Sequence, residues 1–176
     1  NLSNYAVKIE LNPTVFNYSR ANPDGSDIRF TDENGNLLSY YIKEWNTSGT
    51  SIIWVKVPSI PASDSITIYM FYGNPSAESL SDPDSVFTFY EDFEQDRGWS
   101  YYESDSHYNG EYIETAYVSP THSYKISFPS KTSAGASYAQ ISKTITFPDN
   151  GSYLLSVYIK DSRSGGDSNY WFKEIY

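Results

Sequence analysis

The stretch Ser26-Asp27-Ile28-Arg29-Phe30-Thr31-Asp32, followed downstream by Trp54-Val55-Lys56-Val57-Pro58 and Tyr72-Gly73-Asn74-Pro75, decides the class of this chain. Each block is β-rich and bounded by turn residues, and none of them carries a catalytic constellation. Working outward, Tyr5, Val7, Ile9 and Leu11 alternate with Ala6, Lys8 and Glu10, a period of two that predicts a strand with one buried and one wet face, ended by Asn12-Pro13. Residues 27–31 and 37–45 flank Asp32-Glu33-Asn34-Gly35-Asn36, and the Asn-Gly pair predicts a hairpin turn with positive φ. Residues 51–57 and 65–72 are apolar on both faces, as central strands are.

Gly73 to Ser85 has no period and contains Pro75 and Pro83, which predicts a connection and a domain boundary near residue 85. Strand-like runs resume over 86–93, 99–102, 111–118, 123–128, 138–147, 153–160 and 169–176. No segment sustains a helical period. The expectation is all-β: two tandem antiparallel β-sandwich domains of the jelly-roll kind, over 1–85 and 86–176.

Composition supports that class. Eighteen Tyr, nine Phe and four Trp stand against one Met among 176 residues, and aromatic residues suit pleated surfaces. Cysteine is absent, which excludes disulfides, thiolate metal sites and thiol nucleophiles. The formal charge of −10 is shared evenly between the halves with no basic stripe. Nucleic acid and anionic membranes are therefore not expected partners, since both call for clustered Lys or Arg. No apolar run reaches the ~20 residues of a membrane-spanning helix, so no membrane insertion is expected within this segment.

Asn-x-Ser sequons stand at Asn1, Asn17, Asn46 and Asn150, marking glycosylation candidates and an extracellular or cell-surface setting. The alternating run Tyr170 to Tyr176 would leave an aromatic edge open. Following chain or a neighbouring copy is expected to supply the missing strand.

Over about residues 1–80 the sequence resembles the family called domain of unknown function 2341, found in large secreted or surface-anchored proteins of archaea and bacteria. The residues that carry the resemblance are Leu2 to Leu11, Asp24 to Phe30, Tyr40 to Trp45, Trp54 to Pro61 and Ile68 to Asn74. It implies a β-sandwich in a multidomain extracellular protein, with a further strand upstream of Asn1, and it transfers no activity. Residues 90–176 are similar to jelly-roll carbohydrate-binding and lectin-like modules through Asp92-Phe93-Glu94, Gly98-Trp99 and Ser123 to Ser127. Many such modules hold a structural calcium near the acidic strand.

Glu91, Asp92, Glu94 and Asp96 place four carboxylates within six residues. Calcium takes about 6–8 oxygen ligands, and Asp92 and Glu94 would share a strand face, which makes them the expected metal ligands against a solvated acidic linker as the alternative. Trp99, Tyr101, Tyr108 and Tyr112 are the candidate carbohydrate-binding rings, because sugar C–H faces stack on flat aromatics. Packing of those rings into a core is the competing reading. Nothing selects a hydrolytic carboxylate pair. His107 and His122 lack a nucleophile elbow, and the loop Ser162 to Asp167 lacks the phosphate-loop lysine.

These observations predict a non-enzymatic structural or adhesive module of a surface protein whose partners are neighbouring domains or subunits. Calcium-supported carbohydrate binding with glycan partners is one alternative. A filament built by strand donation is the other.

Overall fold

The computed structural model describes residues 1–104, 109–114, 121–127, 139–148, 152–155 and 157. The described residues are all-β apart from short helical turns. It divides into two compact units, Asn1–Tyr90 and Glu91–Tyr176.

The first unit has two antiparallel sheets. One runs in the order β1–β5–β4, from β1 (Leu2–Leu11), β5 (Ser51–Ile60) and β4 (Tyr40–Glu44). The other runs β3–β2–β6, from β3 (Leu37–Leu38), β2 (Arg29–Thr31) and β6 (Tyr69–Phe71). Leu11, Tyr40, Ile53 and Val55 of the first sheet and Phe30 and Leu38 of the second enter one buried cluster, together with Phe16 and Ile28. A shared apolar core between two sheets is the sandwich solution to burying one face of each.

The expected hairpin forms, with Phe30 opposite Leu38 and Thr31 opposite Leu37. Gly35 at its tip has φ +81°. The Asp32 carboxylate accepts from the N–H groups of Asn34 and Asn36 and from the Asn36 amide, and these donors hold its pKa below the ordinary carboxylate value. The single strand expected over 37–45 is broken at Ser39, so that β3 stays with β2 while β4 crosses to β5. This corner is how one chain feeds both layers.

β5 is central, as its sequence predicts. Ser51, Ile53, Val55 and Val57 are buried on one side. On the other, Trp54 meets the Phe87 ring at 5.6 Å and Lys56 donates to the Ser85 carbonyl at 3.2 Å. The run 65–72 is corrected: only Tyr69–Phe71 forms a strand, and it lies at a sheet edge. Ile68 and Met70 turn toward the core while Tyr69 and Phe71 face outward. Burial along β1 rises toward Leu11, and Tyr5 is half exposed although its alternation predicts a buried face.

The segment after Gly73 is largely exposed but tied to the sheets at several points. Ser81 Oγ accepts from the Ile42 N–H at 2.8 Å and the Asp82 N–H donates to the Tyr40 carbonyl at 2.9 Å, closing the edge of β4. The strand expected over 86–93 does not form. Asp82 caps a single helical turn, α1 (Pro83–Val86), with Pro83 at its start, an arrangement that favours a helix N-terminus. Tyr90 then packs at 5.3 Å from the Tyr41 ring, with 2.8 Å between the two hydroxyls.

Among the described residues the second unit holds two strand pairs. β7 (Ser100–Glu103) pairs with β10 (Ala139–Ser142), and β8 (Asn109–Ile113) pairs with β9 (Ser123–Ser127), both antiparallel. Of the run expected over 153–160, the described residues lie outside any strand, and Phe147 packs on Tyr153 at 4.3 Å. The run 169–176 lies outside the described residues.

Candidate functional site

In the first unit the polar residues of the opening blocks converge on a buried clamp. Asp27 is 2% exposed, and its carboxylate accepts from the backbone N–H groups of Asn22 and Gly73. Gly73 has φ +99°, a conformation glycine adopts at little cost. The Asn22 amide donates to Ser26 Oγ at 2.9 Å and to the Asn74 carbonyl at 3.4 Å, so the two loops are tied twice. Arg29 donates to the carbonyls of Ser26, Ile28 and Glu78 and to the Tyr40 hydroxyl. That hydroxyl also accepts from the Leu80 N–H. Gly25, at φ +72°, lies against the Trp45 ring, where an added Cβ would stand 2.8 Å from it.

Beside the clamp, the loops Asn22–Ser26 and Pro75–Ala77 border an open groove of about 620 Å³. The Asp24 carboxylate is held below its ordinary pKa by the donors of Ser26. A second polar knot lies at Ser51, whose hydroxyl accepts from the Tyr18 hydroxyl and the Asn46 N–H, each at 2.8 Å. Around it Tyr18, Phe16 and Trp45 meet edge to face. Asn22, Tyr18 and Ser51 were not singled out in the sequence. Their only signal is position, since each lies beside a turn or at a strand start.

In the second unit the acidic run is not a strand, so Asp92 and Glu94 do not share a sheet face. Each carboxylate caps a turn or reaches a donor elsewhere. Glu91 accepts from the Phe93 N–H at 2.8 Å and from Trp99 Nε1 at 2.6 Å. Asp92 accepts from the Glu94 N–H, and Asp96 from the Gly98 N–H.

Glu94 crosses to Thr121 and His122. It accepts from both backbone N–H groups at 2.8 Å, from the Thr121 hydroxyl, and from His122 Nδ1 at 2.8 Å. The other ring nitrogen of His122 lies 3.1 Å from Glu114. The Thr121 hydroxyl, followed by the His122 and backbone donors, takes Glu94 down to about 2, while Glu94 and then Glu114 raise His122. Among the described residues no three His, Asp or Glu side chains converge as a metal would require.

Of the aromatic candidates, Trp99, Tyr101 and Tyr112 pack on Phe93 or Tyr124. Phe93, at φ +60°, lies 5.7 Å from Trp99, 6.3 Å from Tyr112 and 6.1 Å from Tyr124. Lys143 stands 6.0 Å over the Trp99 ring. Tyr101 donates to Glu103, and its ring covers Gly110. Tyr112 meets Tyr124 edge to face at 5.1 Å and keeps 38% of its surface exposed. Burial, helped by the charges of Asp96 and Glu91, raises the Tyr112 pKa. Tyr108, His107 and Asn150 lie outside the described residues. Asn1, Asn17 and Asn46 are all described, Asn1 and Asn17 exposed and Asn46 half-buried.

Fold and clamp together define an all-β module whose recognisable blocks are internal ties. Residues 24–102 match the family described as Domain of unknown function (DUF2341), in agreement with the resemblance of the first unit. The match begins at the clamp loop, after β1, and runs through β6 into β7. No curated protein and no solved structure matches the chain. No helix among the described residues is long and apolar enough to cross a membrane.

Proposed function

We propose that the chain is a non-enzymatic structural module of a secreted or cell-surface protein, acting by spacing and by contact with neighbouring domains or subunits. The observation that carries this reading is the inward use of the matched segment's polar groups. Asp27, Arg29 and Tyr40 spend their hydrogen bonds holding loops to strands within one unit, including where Arg29 and Tyr40 border a cavity. A catalytic site needs polar groups aimed where a reacting atom can sit. The contact surface is the outer side of the β3–β2–β6 sheet, where Leu37, Tyr69 and Phe71 are 67%, 48% and 55% exposed. Contiguous apolar exposure of this kind marks interaction sites.

The test pairs two assays on the purified chain. Chromogenic glycosides, esters and peptides should show no turnover, and cell envelopes from the source organism should retain the protein, with retention reduced in a Tyr69→Ser/Phe71→Ser variant. Turnover abolished by a single side-chain substitution, or an envelope fraction that retains none of the protein, overturns the reading.

A further inference from the structure

Two of the Asn-x-Ser tripeptides adopt one and the same turn. At Asn17-Tyr18-Ser19 the Asn17 Oδ1 accepts from the Ser19 N–H at 3.2 Å and from the Ser19 hydroxyl at 2.8 Å. At Asn46-Thr47-Ser48 the Asn46 Oδ1 accepts from the Ser48 N–H and hydroxyl, both at 3.2 Å. With the carbonyl oxygen taken up by these donors, the amide nitrogen is left out of the turn's own hydrogen bonds. Neither Nδ2 donates a hydrogen bond among the described residues. Asn17 is exposed; Asn46 is half-buried and its Nδ2 lies close against Gly49, where an added Cβ would stand 2.6 Å from it, so glycine at that position is what spares the amide a clash.

The sequon at Asn1 is built differently. Its Oδ1 accepts from the Ala62 N–H at 2.9 Å, and Leu2 and Ser3 are paired with Ile60 and Ser59 in β1. An internal comparison stands at Asn12-Pro13-Thr14, where Oδ1 accepts from the Thr14 N–H at 2.9 Å and from its hydroxyl at 2.5 Å. The turn is the same, but proline at the middle position excludes the tripeptide as an acceptor.

We infer that Asn17 and Asn46 are acceptors of N-linked oligosaccharide and that both glycans leave from one end of the first unit. The rings that follow and precede them, Tyr18 and Trp45, lie 5.1 Å apart. The donor is an oligosaccharide carried on a polyprenyl phosphate and delivered by its transferase. Asn Nδ2 bonds to the anomeric carbon as the carbon–oxygen bond to the phosphate breaks. The lipid phosphate leaves with the electron pair, and the Nδ2 proton passes to a base of the transferase.

The inference rests on the surface-module reading, because lipid-linked donors act on exported chains. The test is peptide mass spectrometry of the protein isolated from the cells that make it, with its location scored in parallel. Asn17 and Asn46 peptides should carry glycan, while Asn1 and Asn12 peptides should not. Asn17→Gln and Asn46→Gln should each lose one glycan, and Pro13→Ala, which frees the middle position of the matching turn, should gain one at Asn12. Exported protein with bare Asn17 and Asn46 overturns the inference alone. Protein found only inside the cell overturns the surface-module reading, and the inference with it.

Discussion

The carboxylate of Asp27 accepts from the backbone N–H of Gly73, 46 residues further along the chain, and the same group accepts from Asn22. A buried carboxylate with two amide donors joins loop to strand end more firmly than neutral bonds would. Asp27→Ala leaves both N–H groups without an acceptor in a site closed to water. The expected cost is about 3 kcal/mol, from the penalty of about 1–3 kcal/mol for each stranded buried group. Asp27→Asn, which keeps one acceptor and turns a donor toward the other N–H, should lose roughly half as much. Urea unfolding measures both, and an unchanged midpoint for the alanine variant would remove the clamp from the account of stability.

Two glycines with positive φ separate backbone cost from crowding. Gly25 and Gly35 stand at +72° and +81°, but an added Cβ meets the Trp45 ring at 2.8 Å in the first case and open space in the second. Gly35→Ala should cost only the left-handed penalty of about 1 kcal/mol. Gly25→Ala should cost at least about 1–3 kcal/mol more, because Trp45 is packed and cannot yield freely. Equal losses in thermal melts of the two variants would contradict the Trp45 contact.

Ser51 and Tyr18 form the polar knot beneath the aromatic end of the first unit. Ser51→Ala strands the Asn46 N–H and leaves the Tyr18 hydroxyl only the Leu11 carbonyl, while Tyr18→Phe removes one partner and leaves the ring packing in place. A double-mutant cycle should give a coupling of about 1 kcal/mol. Additive losses would mean that the two hydroxyls do not support each other.

The strands were legible where periodicity is strong. β1 follows from alternation, β5 from a run apolar on both faces and the 29–38 hairpin from the Asn-Gly turn, and a face that must be buried fixes the register. Three features escaped that logic. The break at Ser39 carries no local signal, since both halves of the run read as strand and only the sheet they join differs. Residues 73–85 lack a period, yet the carbonyl of Glu78 and the hydroxyl of Ser81 have fixed partners, and Phe87, in a run that reads as strand, packs its ring on Trp54 instead. Asp27 and Gly73 were visible as motif residues, but the bond between them depends on long-range folding that no sequence window contains. In the second unit, the acids at 91–96 suggested shared ligation from their spacing. Their actual partners, Trp99, Thr121 and His122, are set by turns and by chain reversal.

Those acids carry a direct expectation about cations. Glu91 and Glu94 have both oxygens engaged by protein donors, so adding calcium or a chelator should leave the melting midpoint of the chain unchanged. A ligand that binds only the folded state raises the midpoint with concentration. A midpoint that climbs with calcium and falls back in chelator would show that these carboxylates exchange their donors for a metal.

The Glu94–His122 pair makes the second unit sensitive to pH from both sides. Glu94 falls from 4.5 to about 2, so its contribution is complete above about pH 4.5 and fades as pH drops toward 2. His122 is raised above 6.5, so its contribution is complete below that value and fades as pH rises through the raised pKa. Between about pH 4.5 and 6.5 both charges are present, and the tie between residue 94 and the 121–122 turn is at its strongest. Both side chains are about a quarter exposed, so the effect should shrink in high salt. Titration of the His122 ring by NMR should place its midpoint above that of a free histidine, and Glu94→Gln should bring it down. His122→Gln should flatten the alkaline limb of the melting profile while leaving the acid limb, because the backbone donors of Thr121 and His122 still hold Glu94. A His122 midpoint at the free value in the unaltered chain would show that the pair does not form in solution.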